Sequence, residues 1–331
     1  RQRGPGYARP APRHIRNDHT GFALCLLRRG AQGKDGSPRM LILSQFINGL
    51  QLGSIYALVA LGYSMVYGII MLLNFAHGDV IMIGGYIALL TIAAGIHPAL
   101  AVLLTIIGCV ALSVVIEEVA YRPLRSAPRI SLLITAIGVS LLLQNLAQLI
   151  WTANTRSFPA TKIIPSVTYQ LGSLSISLSA IVTIVVSVVS MVALTFLVQK
   201  TRMGKAMRAV SEDTGAAQLM GININNTITF TFAIGSALAG IGAVLYCCRY
   251  PIVNPTIGSL LGLKAFVAAV LGGIGSIPGA MIGGLAIGFA EVIVTAIGLS
   301  DWTDAVVFAV LIVVLLVRPT GFLGRSMTEK V

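Results

Sequence analysis

Apolar runs long enough to fill a lipid bilayer recur along almost the whole chain from Phe46 onward. A bilayer core is about 30 Å thick, and an α-helix needs about 20 apolar residues to cross it. Only 10% of the residues are charged, whereas about a quarter are charged in a soluble domain. The chain is therefore predicted to be a membrane protein. Its clear candidate spans are 46–68, 79–96, 99–121, 130–151, 176–199, 226–248, 276–299 and 302–317.

The same runs predict helices. Backbone groups in hydrocarbon must find hydrogen-bond partners within the structure, so only helices and closed barrels cross a membrane. The sequence lacks the segments of alternating apolar and polar residues that build a barrel. We predict an all-α, polytopic membrane protein with eight or nine transmembrane helices. The ninth candidate, 260–274, runs into glycine-rich sequence, which fits either a short span or a broken, re-entrant helix near 260–275.

Lysine and arginine collect in three short segments, and this pattern orients the helices because cytoplasmic loops retain basic residues. The opposing segment 152–175 carries only Arg156 and Lys162 and is expected on the other side of the membrane. Placing all three basic segments in the cytoplasm puts the C terminus there as well and needs an odd number of crossings, which favours counting 260–274 as a span. The basic residues are Arg122, Arg125 and Arg129; Lys200, Arg202, Lys205 and Arg208; Arg318, Arg325 and Lys330.

Residues 1–39 differ from the rest in composition. They hold nine of the 23 Lys and Arg residues, so the formal charge of +12 is no sign of nucleic-acid binding. We predict a disordered basic tail followed by one transmembrane domain at 40–331. Met40 directly precedes the first apolar run, so the tail is either outside the native protein or a basic arm that binds lipid. The cysteines lack metal-ligand spacing, and no metal site is predicted.

Polar residues within or between the spans are candidates for a translocation path or gate, because an unpaired charge is costly in hydrocarbon. Asn74, His77 and Asp79 interrupt two apolar helices, and Glu291 lies well inside the span 276–299. A structural role at a helix end is the alternative for the first three, and pairing with a neighbouring helix is the alternative for Glu291. Three further charged residues are expected at the outer interface: Arg249, Lys264 and Asp301.

The cytoplasmic segment 200–226 predicts a short helix. Ser211 is a suitable N-cap, Glu212 and Asp213 stand in the first turn where the helix dipole favours anions, and Gly221 ends the helix. The candidate residues for an interaction with a partner are Ser211, Glu212, Asp213, Ala216, Ala217, Leu219, Met220 and Gly221.

One face of this helix is apolar. Ala216, Leu219 and Met220 are three and four positions apart and form a small surface that suits a groove on a partner protein. A helix that rests on the membrane surface is the alternative. The sequence Ala216-Ala-Gln-Leu-Met-Gly221 resembles the Ala-Ala-x-x-x-Gly part of the loop with which ABC importer permeases dock onto their ATPases. Gly215 stands where that loop usually has Glu, a departure similar to that in the branched-chain amino acid permease family.

Further segments between residues 44 and 325 resemble the smaller permease of the high-affinity branched-chain amino acid uptake system. They follow one another in order, and the N-terminal tail has no counterpart. The segments are Asn48-Gly-Leu-Gln-Leu-Gly-Ser-Ile-Tyr-Ala-Leu58, Gly62-Tyr-Ser-Met-Val-Tyr-Gly68, Asn74-Phe-Ala-His-Gly-Asp79, Tyr121-Arg-Pro-Leu-Arg125, Gly272-Gly-Ile-Gly-Ser276 with Pro278-Gly279, and Arg318-Pro-Thr-Gly-Phe-Leu-Gly324.

The resemblance implies a membrane-spanning subunit of an ABC importer that moves branched-chain amino acids into the cytoplasm by ATP-driven alternating access. It implies the bacterial inner membrane, a second permease subunit in a heterodimer, two ATP-binding subunits and a periplasmic substrate-binding protein. The sequence contains no P-loop, so ATP and Mg²⁺ would be used by the partner subunits, and this chain would bind no cofactor and catalyse no reaction.

Other functions are open at this point. A related importer could carry urea or short amides, since nothing in the sequence identifies the ligand. An ion-coupled secondary transporter would use Asp79 and Glu291 as proton sites. A passive channel is the third class. The predicted helix at Ser211–Gly221 favours the importer, because neither of the last two classes has an obvious use for a docking helix.

Overall fold

The computed structural model describes residues 38–71, 74–125, 127–171, 174–318 and 320–324. The predicted basic tail therefore lies outside the described residues except for its last two positions, which begin the first helix. Arg325 and Lys330 also lie outside them. The α-helices are α1 (Pro38–Ile70), α2 (Ala76–Ala93), α3 (Pro98–Ile116), α4 (Arg129–Trp151), α5 (Ala160–Ile163), α6 (Leu178–Lys200), α7 (Arg202–Glu212), α8 (Thr214–Leu219), α9 (Ile224–Arg249), α10 (Ile257–Gly272), α11 (Ile277–Ala296) and α12 (Thr303–Val317).

The rest of the described secondary structure is short. A π-helical turn at Glu117–Tyr121 and a 3₁₀ turn at Arg122–Leu124 extend α3, and a second 3₁₀ turn, Ser300–Trp302, precedes α12. Four strands form two antiparallel pairs: β1 (Arg156–Ser157) with β4 (Ile252–Val253), and β2 (Thr168–Leu171) with β3 (Leu174–Ser177).

The predicted helical membrane fold is confirmed. In the described part of the chain, eight helical stretches have at least 18 residues and are apolar enough to cross a bilayer, and they match the eight clear candidate spans in order. Helix α10, with 16 residues, is the shorter ninth helix that the sequence left open.

Helix α1 forms the centre of the bundle. Of its most apolar 18-residue window, 83% is buried, whereas the corresponding share is 17% for α6 and 6% for α12. Helix α1 packs closely against α11 because glycines remove the side chains between them: the backbone of Gly284 approaches Ala57, and that of Gly288 approaches Gly53. The outer helices expose aliphatic side chains such as Val189 and Leu316, as expected of surfaces that face lipid.

The two ends of α10 lie at opposite ends of the bundle. Its N-terminal end follows β4, which pairs with β1 in the connection between α4 and α6. Its C-terminal end meets the segment after α12, where the amide of Phe322 donates to the carbonyl of Leu271 and that of Leu323 to the carbonyl of Gly272, both at 2.9 Å. Over its 16 residues, at 1.5 Å per residue, the helix therefore extends about 24 Å between the two ends of the bundle.

The predicted helix with its cap at Ser211 is wrong. Ser211 lies in the last turn of α7, where its hydroxyl donates to the carbonyl of Arg208 over 2.8 Å. Asp213 is the cap instead: its extended backbone ends α7, and its Oδ1 accepts from the amide of Ala216 at 2.9 Å. Helix α7 continues through Ser211 because Met207 and Val210 bury its apolar face.

Candidate functional site

The polar segment between α1 and α2 is buried. Asn74 is 3% exposed, and its Oδ1 accepts a 2.7 Å hydrogen bond from the hydroxyl of Tyr121. Asp79 is 1% exposed, stands in the first turn of α2 and accepts a 3.1 Å hydrogen bond from Gln144 of α4. A carboxylate in the first turn also interacts favourably with the helix dipole. Both residues therefore have structural partners on other helices.

His77 lies between Asn74 and Asp79 in the sequence, and its side chain has fewer polar contacts. Its ring meets the edge of Tyr63 at 4.7 Å between centroids, and it occupies the space that a side chain at Gly62 would need. Its Nε2 is buried without a hydrogen-bond partner among the described residues. Among the predicted gate residues of this segment that the structure describes, His77 is thus the one with a fully buried side-chain nitrogen that has no hydrogen-bond partner.

Glu291 belongs to a buried ionic cluster. The Nζ of Lys264 lies 2.6 Å from Glu291 Oε1 and 2.6 Å from Asp304 Oδ1, and the hydroxyl of Tyr56 donates to Glu291 Oε2 over 3.0 Å. The cluster joins α1, α10, α11 and α12. Lys264 is 7% exposed and therefore lies buried among these helices. The sequence signal for this pairing was one Lys and one Glu, each isolated within an apolar span.

A second buried ion pair lies where α3 ends. Glu117 is 0% exposed; its Oε1 is paired with Arg125, and its Oε2 accepts a 2.7 Å hydrogen bond from Thr229. Arg125 also donates to Asn225. Because Asn225 and Thr229 belong to the first turns of α9, the pair ties the end of α3 to the start of α9. Sequence reasoning did not find these α9 partners.

The segment between α7 and α9 presents an apolar tip. Leu219 and Met220 are 90% and 83% exposed, whereas Ala217 is 4% exposed and packs against the chain itself. Helix α8 ends in a Schellman motif: the amide of Ile222 donates to the carbonyl of Ala217 and that of Gly221 to the carbonyl of Gln218, both at 3.0 Å. Gly221 has a φ of +80°, a conformation that glycine adopts at little cost.

An open apolar groove lies elsewhere, between α3, α6 and α9. Its volume is about 540 Å³, and its lining is aliphatic except for His97. The groove has no charged side chain, so it offers a charged solute no compensation for lost water.

Residues 45–315 match the family described as "Branched-chain amino acid transport system / permease component". The chain belongs to this family of permease components. The matched range contains the polar segment, both buried ion pairs and the apolar tip, so every candidate site lies within the part of this permease that the family shares.

Individual relatives support the assignment. This permease is 46% identical over 303 residues to the high-affinity branched-chain amino acid transport system permease protein BraD of Pseudomonas aeruginosa, covering 87% of this chain and 98% of BraD. It is 45% identical over 303 residues to LivH of Escherichia coli K12, covering 88% and 98% of the two chains. The probable permease protein LivH of Methanocaldococcus jannaschii is 29% identical over 290 residues, covering 82% and 89%.

Proposed function

We propose that this permease is one of two membrane-spanning subunits of an ABC importer that carries branched-chain amino acids into the cytoplasm by ATP-driven alternating access. BraD and LivH are named as permease proteins of high-affinity branched-chain amino acid transport systems, and they match this chain over nearly their full length. Those names favour branched-chain amino acids over urea or short amides. They also favour a subunit of a larger system over a secondary transporter or a channel that works alone.

The observation that carries the mechanism is the apolar tip of α8. Single exposed apolar residues are common, but two large adjacent ones at a capped helix end expose a surface that water disfavours. Burial in a partner's groove would contribute about 1.5–3 kcal/mol for each of Leu219 and Met220. The tip therefore suits docking to an ATP-binding subunit, with the small helix seated in a groove.

The connections of α8 explain how docking would move membrane helices. On one side, α7 leads directly back to α6, and Met207 and Val210 anchor it to the bundle. On the other side, Asn223 caps α9 by accepting from the amide of Asn226 at 3.1 Å. The Glu117–Arg125 pair then ties the first turns of α9 to α3. A displacement of α8 would thus be passed to α3, α6 and α9.

The proposed assembly contains a second permease subunit, two subunits that bind ATP and Mg²⁺, and a periplasmic substrate-binding protein. It lies in the bacterial inner membrane with the C terminus of this chain in the cytoplasm. Basic residues support this orientation, because they collect at the end of the bundle that carries α7 and α8. The absence of a P-loop from the sequence supports the assignment of ATP hydrolysis to other subunits.

Replacing the two exposed residues of the apolar tip tests whether α8 docks onto the ATP-binding subunits. The double variant Leu219→Ser with Met220→Ser is expected to insert normally but to lose co-purification of the ATP-binding subunits and ATP-driven leucine uptake. Gln218→Ser, an exposed change in the same helix, is the matched control and should retain both. Full assembly and uptake by the double variant would refute docking through α8.

A further inference from the structure

The apolar groove between α3, α6 and α9 runs inward from the end of the bundle opposite α7 and α8. Its floor is formed by Val244 and Leu245 of α9, each 4% exposed, and its walls include Val102 of α3 and Val186 of α6. Along α6 the lining extends from Leu178, the first residue of the helix, to Val186. Eight steps of about 1.5 Å along the helix make the groove about 12 Å deep.

This depth is close to that of one leaflet of a bilayer. The hydrocarbon core is about 30 Å thick, so the acyl chains of each leaflet fill about 15 Å of it. The two wall helices face lipid: only 28% and 17% of the most apolar windows of α3 and α6 are buried, and exposed side chains such as Ile107 and Val189 are aliphatic. The groove is therefore an indentation in a surface that acyl chains cover.

The outer end of the groove is polar. His97, the N-cap of α3, lines this end, and its Nδ1 accepts a 3.3 Å hydrogen bond from the amide of Ala99. A neutral imidazole that accepts at Nδ1 carries its hydrogen on Nε2. The ring therefore keeps a hydrogen-bond donor for an acceptor on a bound molecule.

A basic residue stands at the same end. Lys162 is exposed on α5, and the next residue, Ile163, lines the groove. Helix α5 packs against α3 and α9. The two segments that lead into α3 and α6, residues 94–97 and 152–177, contain no Asp or Glu. These segments carry a positive charge, which suits the phosphate of a lipid.

We propose that the groove binds a phospholipid of the leaflet at this end, with an acyl chain along α6 between α3 and α9 and the phosphate at His97 and Lys162. The proposal goes beyond the proposed function, since the lipid would be a component of the folded permease and not its cargo. A phospholipid matches the layout because it joins an apolar chain of leaflet length to an anionic group at one end.

Two other occupants fit less well. An amino acid would bury its ammonium or carboxylate group against a lining that is aliphatic except for His97. A helix of another subunit is too wide. The volume of about 540 Å³ over this depth gives a mean cross-section of about 45 Å², whereas a helix about 10–12 Å across needs about 80 Å² or more.

Photolabelling of the complete transporter tests the site. The probe is phosphatidylglycerol with a diazirine on one acyl chain, in nanodiscs of phosphatidylethanolamine and phosphatidylglycerol, and mass spectrometry locates the label. Val244 and Leu245 should be labelled more strongly than Leu316, which is exposed on α12. Val186→Trp should lower labelling of the two floor residues by about fivefold or more, because the added bulk takes the room of the chain. Val185→Trp, on the exposed face of α6, is the matched control and should change nothing.

Variants at the polar end test the phosphate without filling the groove. His97→Asn, which retains an N-cap residue, combined with Lys162→Gln should lower labelling of the floor by about fivefold, as expected for a basic residue at an anionic lipid surface. Labelling by a diazirine-bearing diacylglycerol, which has no phosphate, should stay at the wild-type level. Lys200→Gln, at the other end of α6, should change neither. Equal loss of both labels would contradict a phosphate at this end.

The remaining outcomes identify the competing occupants. Equal labelling of the floor and of Leu316 that Val186→Trp does not change would show surrounding lipid only. Protection of the floor by leucine would assign the groove to the substrate, and a floor without label would show that a protein surface covers it. Each of these results overturns the proposal. If Val186→Trp also lowers labelling of Leu316, the fold is disturbed and the variants at His97 and Lys162 decide.

Labelling is independent of uptake, so the lipid site and the importer function can fail separately. A transporter that imports leucine but lacks the label in the groove keeps the proposed function and loses the lipid site.

Discussion

The hydroxyl of Tyr56 donates a 3.0 Å hydrogen bond to Glu291, joining α1 and α11 across 235 positions of sequence. Lys264 approaches the other carboxylate oxygen of Glu291 at 2.6 Å. Both oxygens of this carboxylate are therefore engaged, one by a neutral donor and one by a cation. This arrangement favours pairing between helices, which is one of the two roles that the sequence left open for Glu291.

Glu291→Gln is predicted to be milder than Glu291→Leu. Glutamine keeps an oxygen that can accept from Tyr56 or Lys264, and Lys264 retains Asp304 as its counterion. Leucine leaves the buried Tyr56 hydroxyl without a partner, at a cost of about 1–3 kcal/mol. Thermal unfolding of the purified protein and leucine uptake at matched expression should both rank wild type above Gln and Gln above Leu.

A proton carrier predicts a different order. Glutamine cannot take up and release a proton, so transport by Glu291→Gln would be lost while its stability remained near wild type. Tyr56→Phe serves as the control, since it removes only the hydroxyl and should cost about 1 kcal/mol of stability. A Glu291→Gln variant that is stable but inactive in transport would contradict a structural role for Glu291.

The sequence predicted the spans well because their signal is local. A bilayer requires a fixed length of apolar helix, and that length is visible in a single run of residues. The N-cap of α8 was predicted wrongly because Ser211 and Asp213 both belong to the residue types that cap helices. The local sequence therefore does not distinguish between them. Only the packing of Met207 and Val210 decides that α7 continues past Ser211.

The partners within the candidate sites could not be predicted. Lys264, Glu291 and Asp304 come from three helices, and they meet through the packing of these helices, which includes glycine-lined contacts between α10 and α11. Such contacts depend on three-dimensional geometry that periodicity does not contain. The same holds for Glu117 and Thr229, which lie 112 positions apart.

The ion pair between Glu117 and Arg125 is predicted to transmit movement from α8. Arg125→Gln, or Thr229→Val, should loosen the start of α9 from the end of α3 without changing the apolar tip. The ATP-binding subunits should then still bind and hydrolyse ATP, while uptake per ATP hydrolysed falls by about two- to thirtyfold, the range for residues that carry coupling. Paired measurements of uptake and phosphate release in proteoliposomes give this ratio.

Arg122→Gln is the control for that experiment. Arg122 pairs with Glu118 at 3.8 Å, but both side chains are about half exposed, and exposed pairs contribute little. Its ratio of uptake to ATP hydrolysis should remain at the wild-type value. A wild-type ratio for Arg125→Gln as well would show that the buried pair has no part in transmission.

The permease alone is predicted to carry no substrate. The sequence lacks a P-loop, and Glu291 is paired with Lys264 and Tyr56 on neighbouring helices. Liposomes that contain only this chain should show no leucine accumulation when a proton gradient is imposed. Adding the complete set of partner subunits and ATP should restore uptake. Accumulation driven by the proton gradient alone would contradict the ABC assignment.

Gly221 is predicted to be essential to the position of the apolar tip. Its φ of +80° closes the Schellman motif, and a β-branched residue is strained there by about 1–3 kcal/mol. Gly221→Val should therefore unwind the end of α8 and misplace Leu219 and Met220. Ala217→Trp should act similarly, because Ala217 is buried against the chain and a large side chain would lift α8 away.

The matched control is Gly221→Asn, since asparagine tolerates this conformation better than other residues. It should retain most of the association with the ATP-binding subunits, whereas Gly221→Val and Ala217→Trp should insert into the membrane and lose association and ATP-driven uptake. Co-purification and uptake, measured on the same preparations, distinguish loss of docking from failure to insert. If Gly221→Val and Ala217→Trp both keep the complex and full uptake, α8 is not the docking element, because two independent distortions of the helix would have left its function unchanged.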